Sequence, residues 1–74
     1  MDQSVLNVIQ RHRVVAIIRM DDLSCAYPLT AALLAGGIAA IEFTLTNPEA
    51  ATTVRMLRQK IMAFDNGDAV IGLG

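Results

Sequence analysis

The 74-residue sequence predicts an α/β chain: one N-terminal helix followed by strand, helix, strand, helix, strand. Two observations carry this. Short, mostly apolar runs ("VVAII", "IAAIEFTL", "AVIGLG"), charged only at Glu42, alternate with longer segments of helical spacing. Pro and Gly punctuation falls between them. Strands that alternate with helices pair in parallel and connect by right-handed crossovers.

The elements follow in order. Val5, Val8 and Ile9, with Leu6 beside them, give residues 3–12 the spacing of a short amphipathic helix. "VVAII" (14–18) reads as a buried strand, uncharged until Arg19. "DDLSCAYPLTAALLAGG" (21–37) reads as a helix capped by Asp21 or Asp22. Pro28 lies inside it and demands a kink, a distorted first turn or a later start. Gly36 and Gly37 end it. Residues 38–45 form the second strand. Residues 46–64 form one long helix, with Asn47 as N-cap, Pro48 in the first helical position, and Val54, Leu57, Ile61 and Phe64 as its buried stripe. "DNGD" (65–68) is a turn, and residues 69–74 begin a third strand.

Composition narrows the functional classes. The net charge is −1, the pI is near 5.6 and the six basic residues are scattered, so there is no basic stripe for nucleic acid. Apolar residues make up 54% and the mean hydropathy is +0.49, high for a chain this small, in which surface dominates volume. Neither "VVAII" nor "AALLAGGIAAI" approaches the roughly 20 residues of a membrane span, so no membrane partner is expected. The N-terminus lacks the order of a secretory signal, and the single cysteine excludes an internal disulfide; both favour the cytoplasm. Three strands with two covering helices leave two open edges, so the expectation is a single partial domain, 1–74, rather than a finished one.

Glu42 is the residue that asks for an explanation. It stands in the middle of an apolar strand, and a carboxylate there loses hydration. Alternation puts Ile41, Phe43 and Leu45 on one face, toward helices, and Ala40, Glu42, Thr44 and Thr46 on the other. Val15, Ile17 and Arg19 share a face of the first strand, and "GLG" (72–74) lets backbone approach a ligand closely. Parallel α/β folds bind ligands at the C-terminal strand ends, where Arg19, Glu42, Thr44, Thr46, Gly72 and Gly74 all fall. Two readings stand side by side. Glu42 is either a structural ion-pair partner of Arg19 or a chemical group in a site, with Arg19 a two-donor clamp for a substrate carboxylate. His12 reads as solvated, Cys25 as a small helix residue, and Met56 and Met62 as packing residues. Lys60, late in its helix, favours the dipole there rather than a nucleophilic role. No Cys/His metal spacing, GxGxxG or P-loop occurs.

"VVAIIR", "LLAGGIAAIEFTLTNPEA" and "IGLG", in this order, resemble the N-terminal part of the 2-keto-3-deoxy-6-phosphogluconate and 4-hydroxy-2-oxoglutarate aldolase family, from about residue 5 to the end. The resemblance implies that the helix plus βαβαβ is the first part of a (β/α)8 TIM barrel, a partial barrel as it stands. It implies a class I aldol cleavage through a lysine imine, giving pyruvate plus glyceraldehyde 3-phosphate or glyoxylate, with no metal or organic cofactor. On these terms Glu42 matches the general acid/base and Arg19 a substrate-carboxylate contact. Thr46 stands where some members carry an arginine, and Thr44 lies beside it. Gly72 and Gly74 match the glycines of a "GAGT" turn, with Leu73 in place of alanine. The imine lysine of the family lies on a later strand than these, and Lys60 does not match it, so residues 1–74 alone are expected to be inactive. Full-length members are often homotrimers. The alternative is a non-enzymatic half-barrel that assembles with itself or a partner chain.

Overall fold

The computed structural model describes Leu6 and residues 14–74. The helix expected at 3–12 therefore lies outside the described residues except for Leu6, which is helical, and His12 lies outside them too. The elements are β1 (Ala16–Ile18), α1 (Ala26–Ala35), β2 (Ala40–Phe43), α2 (Ala50–Lys60), α3 (Met62–Asp65) and β3 (Val70–Leu73). The strands form one parallel sheet in the order β1-β2-β3. Its register sets Ala16, Ile41 and Ile71 side by side, then Ile17, Glu42 and Gly72, then Ile18, Phe43 and Leu73.

That register sorts the side chains. Ile41, Phe43 and Ile71 are buried on one face with Leu23, Ala26, Ala50, Val54 and Leu57 from the helical layer. Phe43 and Leu57 are fully buried, and burying two side chains of that size supplies on the order of 3–6 kcal/mol. Ile18, Leu33, Leu34, Met56, Ile61 and Phe64 pack around this cluster. The other row, Ile17–Glu42–Gly72, lies on the opposite face. There Ile17 is 64% exposed.

The helix ends follow local chemistry. Pro28 sits in the first turn of α1, where its missing N–H costs no helical bond, so the helix starts late, at Ala26. Asp22 does not cap α1; its Oδ1 accepts the Ser24 N–H (2.9 Å) in a turn that precedes the helix. At the other end Gly37 takes φ 95°, and the N–H groups of Ile38 and Gly37 donate to Leu33 O (2.9 Å) and Leu34 O (3.0 Å). This is a Schellman ending, which favours glycine because a Cβ is penalised in the left-handed region. In the turn after α3 (66–68) Gly67 takes φ 88° and Asn66 Oδ1 accepts the Asp68 N–H (2.9 Å).

Four expectations are corrected. The helix expected over 46–64 is two helices, because Ile61 is extended (φ −111°, ψ 110°) between α2 and α3. The break leaves Ile61 and Phe64 packed on the core while Met62, expected to pack, is 76% exposed. Leu45, expected beside Phe43 on the apolar face, lies in the turn after β2 and is 61% exposed. The "VVAII" strand is not buried on both faces. β1 is an edge strand, and Val14, Val15 and Ile17 are exposed.

Candidate functional site

Glu42 occupies the central strand, and its burial is intermediate between core and surface. Its side chain runs toward the C-terminal end of the sheet and lies over Gly74. An ideal Cβ built on Gly74 would fall within 3.0 Å of the Glu42 Oε1, Cδ and Oε2 atoms, so only glycine leaves the carboxylate this place. Gly72, its register partner on β3, has open space above it. The two glycines and the carboxylate thus form one continuous patch.

The patch is held by backbone bonds that extend the ladder beyond the strands. Thr44 N–H donates to Ile18 O (3.0 Å), Gly74 N–H to Phe43 O (3.1 Å) and Leu45 N–H to Gly74 O (2.7 Å). These bonds bring the chain after β1, after β2 and after β3 to one end of the sheet. Thr44 and Thr46 lie in the segment after β2, with their hydroxyls 2.8 Å apart. Thr46 also lines an open cleft of about 260 Å³ with Asp21, Asn47, Pro48 and Glu49.

Arg19 is the first residue past β1 and is exposed. The ion pair with Glu42, one of the two readings, is absent. Among the described residues neither the Arg19 nor the Glu42 side chain makes a hydrogen bond or ion pair. Glu42 and Gly74 are therefore brought into contact, Gly72 is set beside them in register, and Thr44 and Thr46 are brought to each other. Arg19 reaches the same end of the sheet without touching the rest.

Asn47 is the feature that the sequence reading missed. It was expected to cap the long helix, but that helix begins at Ala50, and no side chain caps it. Instead Asn47 Nδ2 donates to Met20 O and Asp21 O (both 3.0 Å), while its Oδ1 accepts the Glu49 N–H (2.8 Å). The only sequence signal was an Asn before Pro, which marks a turn as readily as a cap. Cys25 precedes α1 and is exposed, and Lys60 ends α2. Neither adjoins Glu42 in the register. Arg58, also unmarked beforehand, donates from Nη2 to Ile71 O (2.9 Å) and so occupies a carbonyl of β3.

Among the described residues no helix is long and apolar enough to cross a membrane, and no three His, Cys, Asp or Glu side chains group as a metal site.

A parallel α/β sheet that gathers a carboxylate, two glycines and two threonines at its C-terminal strand ends has the layout of a small-molecule site. The family model for KDPG and KHG aldolase matches residues 5–74, and the chain belongs to that family. No curated protein and no solved structure matches it.

Proposed function

We propose that this chain contributes the proton-transfer part of a class I aldolase site, as the first portion (1–74) of a (β/α)8 barrel. The observation that carries the reading is Glu42. It is a carboxylate on the central strand, without an ion-pair partner among the described residues, pressed against a glycine at the end of the sheet where parallel folds hold ligands. A carboxylate kept only for structure would be expected to have a cation beside it. The substrate class is a 2-keto-3-deoxy sugar acid phosphate or 4-hydroxy-2-oxoglutarate, cleaved to pyruvate and an aldehyde.

Each residue has a task in this scheme. The ketone of the substrate condenses with a lysine amine supplied from outside residues 1–74, losing water. The resulting iminium accepts the electron pair of the carbon–carbon bond as it breaks. Glu42 takes the proton of the C4 hydroxyl as that oxygen becomes the aldehyde, and returns a proton to the enamine carbon; water then adds to the pyruvyl iminium and its C–N bond breaks, releasing pyruvate and the free lysine amine. Arg19 offers two parallel donors to the substrate carboxylate, and the Thr44 and Thr46 hydroxyls add donors beside it. Gly72 and Gly74 leave space for the substrate to reach Glu42.

The test is Glu42→Gln in the protein assayed for pyruvate release from both substrates. General acid–base catalysis contributes about 10²- to 10⁴-fold, so turnover should fall by that factor while the fold persists. Unchanged turnover would remove Glu42 from the chemistry.

A second reading has its own observation. Val14 and Val15, just before β1, and Ile17 within it are 49%, 41% and 64% exposed, and β1 is an edge strand of the sheet among the described residues. A half-barrel that covers this surface with another copy or a partner chain would need no enzymatic role. Sedimentation of the isolated chain tests it: a stable soluble oligomer supports it, and a monomer that aggregates counts against it.

A further inference from the structure

Among the described residues, Asn47 is the one side chain whose hydrogen bonds tie the segment after β1 to the segment after β2. Its amide orientation follows from its neighbours. Two carbonyl oxygens, of Met20 and Asp21, lie 3.0 Å from one end of the amide and need a donor there. The Glu49 N–H lies 2.8 Å from the other end and needs an acceptor. Only the Nδ2-toward-Met20 placement satisfies all three. Met20 follows Arg19 directly, and Asn47 follows Thr46 directly. The clamp therefore spans two loops distant in sequence, one bearing the arginine and the other bearing the threonine pair.

We infer that Asn47 is a positioning residue: it fixes the Arg19 segment against the Thr44–Thr46 segment, so that guanidinium and hydroxyls present to the carboxylate of one 2-keto acid. This rests on the proposed function for the ligand, but the clamp itself is a property of the loops. Without it, the Arg19 side chain has no hydrogen bond or ion pair among the described residues to hold it toward the site. The cleft lined by Asp21, Thr46 and Asn47 lies where the two segments meet.

The discriminating variant is Asn47→Asp. A carboxylate still accepts the Glu49 N–H, and its charge suits the start of α2, so the turn and helix survive. It cannot donate to Met20 O or Asp21 O, so the clamp alone is lost. Two readouts are taken on the full chain: backbone ¹⁵N order parameters, and the dissociation constant for pyruvate, with Arg19→Ala alongside. The expected result is a fall in order parameter at residues 19–22 from about 0.85 to below about 0.6, with α2 unchanged. Pyruvate affinity should fall about 3- to 10-fold, in the same direction as for Arg19→Ala. Unchanged order parameters would overturn the clamp. Loosened loops with wild-type affinity, when Arg19→Ala binds more weakly, would overturn the positioning role and leave the proposed function standing. Pyruvate binding that is absent in the wild type, or indifferent to Arg19→Ala, would overturn the Arg19 part of the proposed function and the positioning role with it, while the order parameters still report the clamp.

Discussion

Gly74→Ala separates the stability of the sheet from the placement of its carboxylate. In the native chain the Glu42 carboxyl group lies over the Gly74 Cα, and three of its atoms would be within 3.0 Å of an added Cβ. Something has to move, and the group in the way is the end of a flexible side chain rather than backbone. Glu42 should rotate to another rotamer or sit off its minimum, at about 0.5–1.5 kcal/mol. The ladder bonds of Gly74 N–H to Phe43 O and Leu45 N–H to Gly74 O use backbone atoms that alanine retains. Denaturant unfolding should thus show a loss of no more than about 1.5 kcal/mol. The Glu42 carboxyl carbon, followed by ¹³C NMR, should shift, and its contacts with the Cα proton of residue 74 should weaken. If Glu42 moves protons, turnover should fall far more than stability does, because a displacement on the order of 1 Å in a catalytic group can cost about 10²-fold. Two results would refute this reasoning. An unmoved carboxyl signal would deny the contact, and a loss above about 3 kcal/mol would mean that the backbone yields instead.

Further predictions concern the fold and its titration. Thr30 is fully buried in α1 and its Oγ1 has no hydrogen-bond partner among the described residues, so Thr30→Val should raise stability by about 1 kcal/mol in thermal unfolding. Leu57→Ala should cost about 2–5 kcal/mol. A domain of this length has only about 4–11 kcal/mol in total, so circular dichroism should show a large unfolded fraction if the chain lies at the low end. Asp22 is held below its ordinary value of 3.8 by the Ser24 N–H and then by the Ser24 hydroxyl, against a smaller opposing effect of desolvation. A carboxyl lowered in the folded state stabilises above its unfolded value, and that contribution is lost as pH falls through the folded value. The turn at Asp22–Ser24 should therefore loosen only below pH 3.8, and an NMR titration midpoint at or above 3.8 would contradict this.

Much of the architecture was legible because it rests on local rules. Alternating apolar runs gave the three parallel strands, Pro28 left a kink, a distorted first turn or a later start open, of which the later start is found, and Gly36–Gly37 gave the end of α1. The break at Ile61 was not legible, since Val54, Leu57, Ile61 and Phe64 keep helical spacing across it and only the tertiary fit shows the interruption. Face alternation placed Glu42 correctly opposite Phe43, but it failed for Leu45, because the strand ends at Phe43 and the turn rotates Leu45 outward. At the site, the meeting of Glu42 with Gly74 was implicit in the parallel register. The Asn47 clamp was not, because Met20 and Asp21 are 27 and 26 positions away in sequence.

The most direct test of the central claim is imine trapping. The native protein, isolated from its source, is incubated with pyruvate, reduced with borohydride and weighed intact, and the modified residue is mapped. The account predicts a chain of roughly 200 residues, the small end of the barrel range, with one reduced pyruvyl group on a lysine outside residues 1–74. A 7.9 kDa protein that takes up no pyruvate, or an adduct on Lys60, would contradict it.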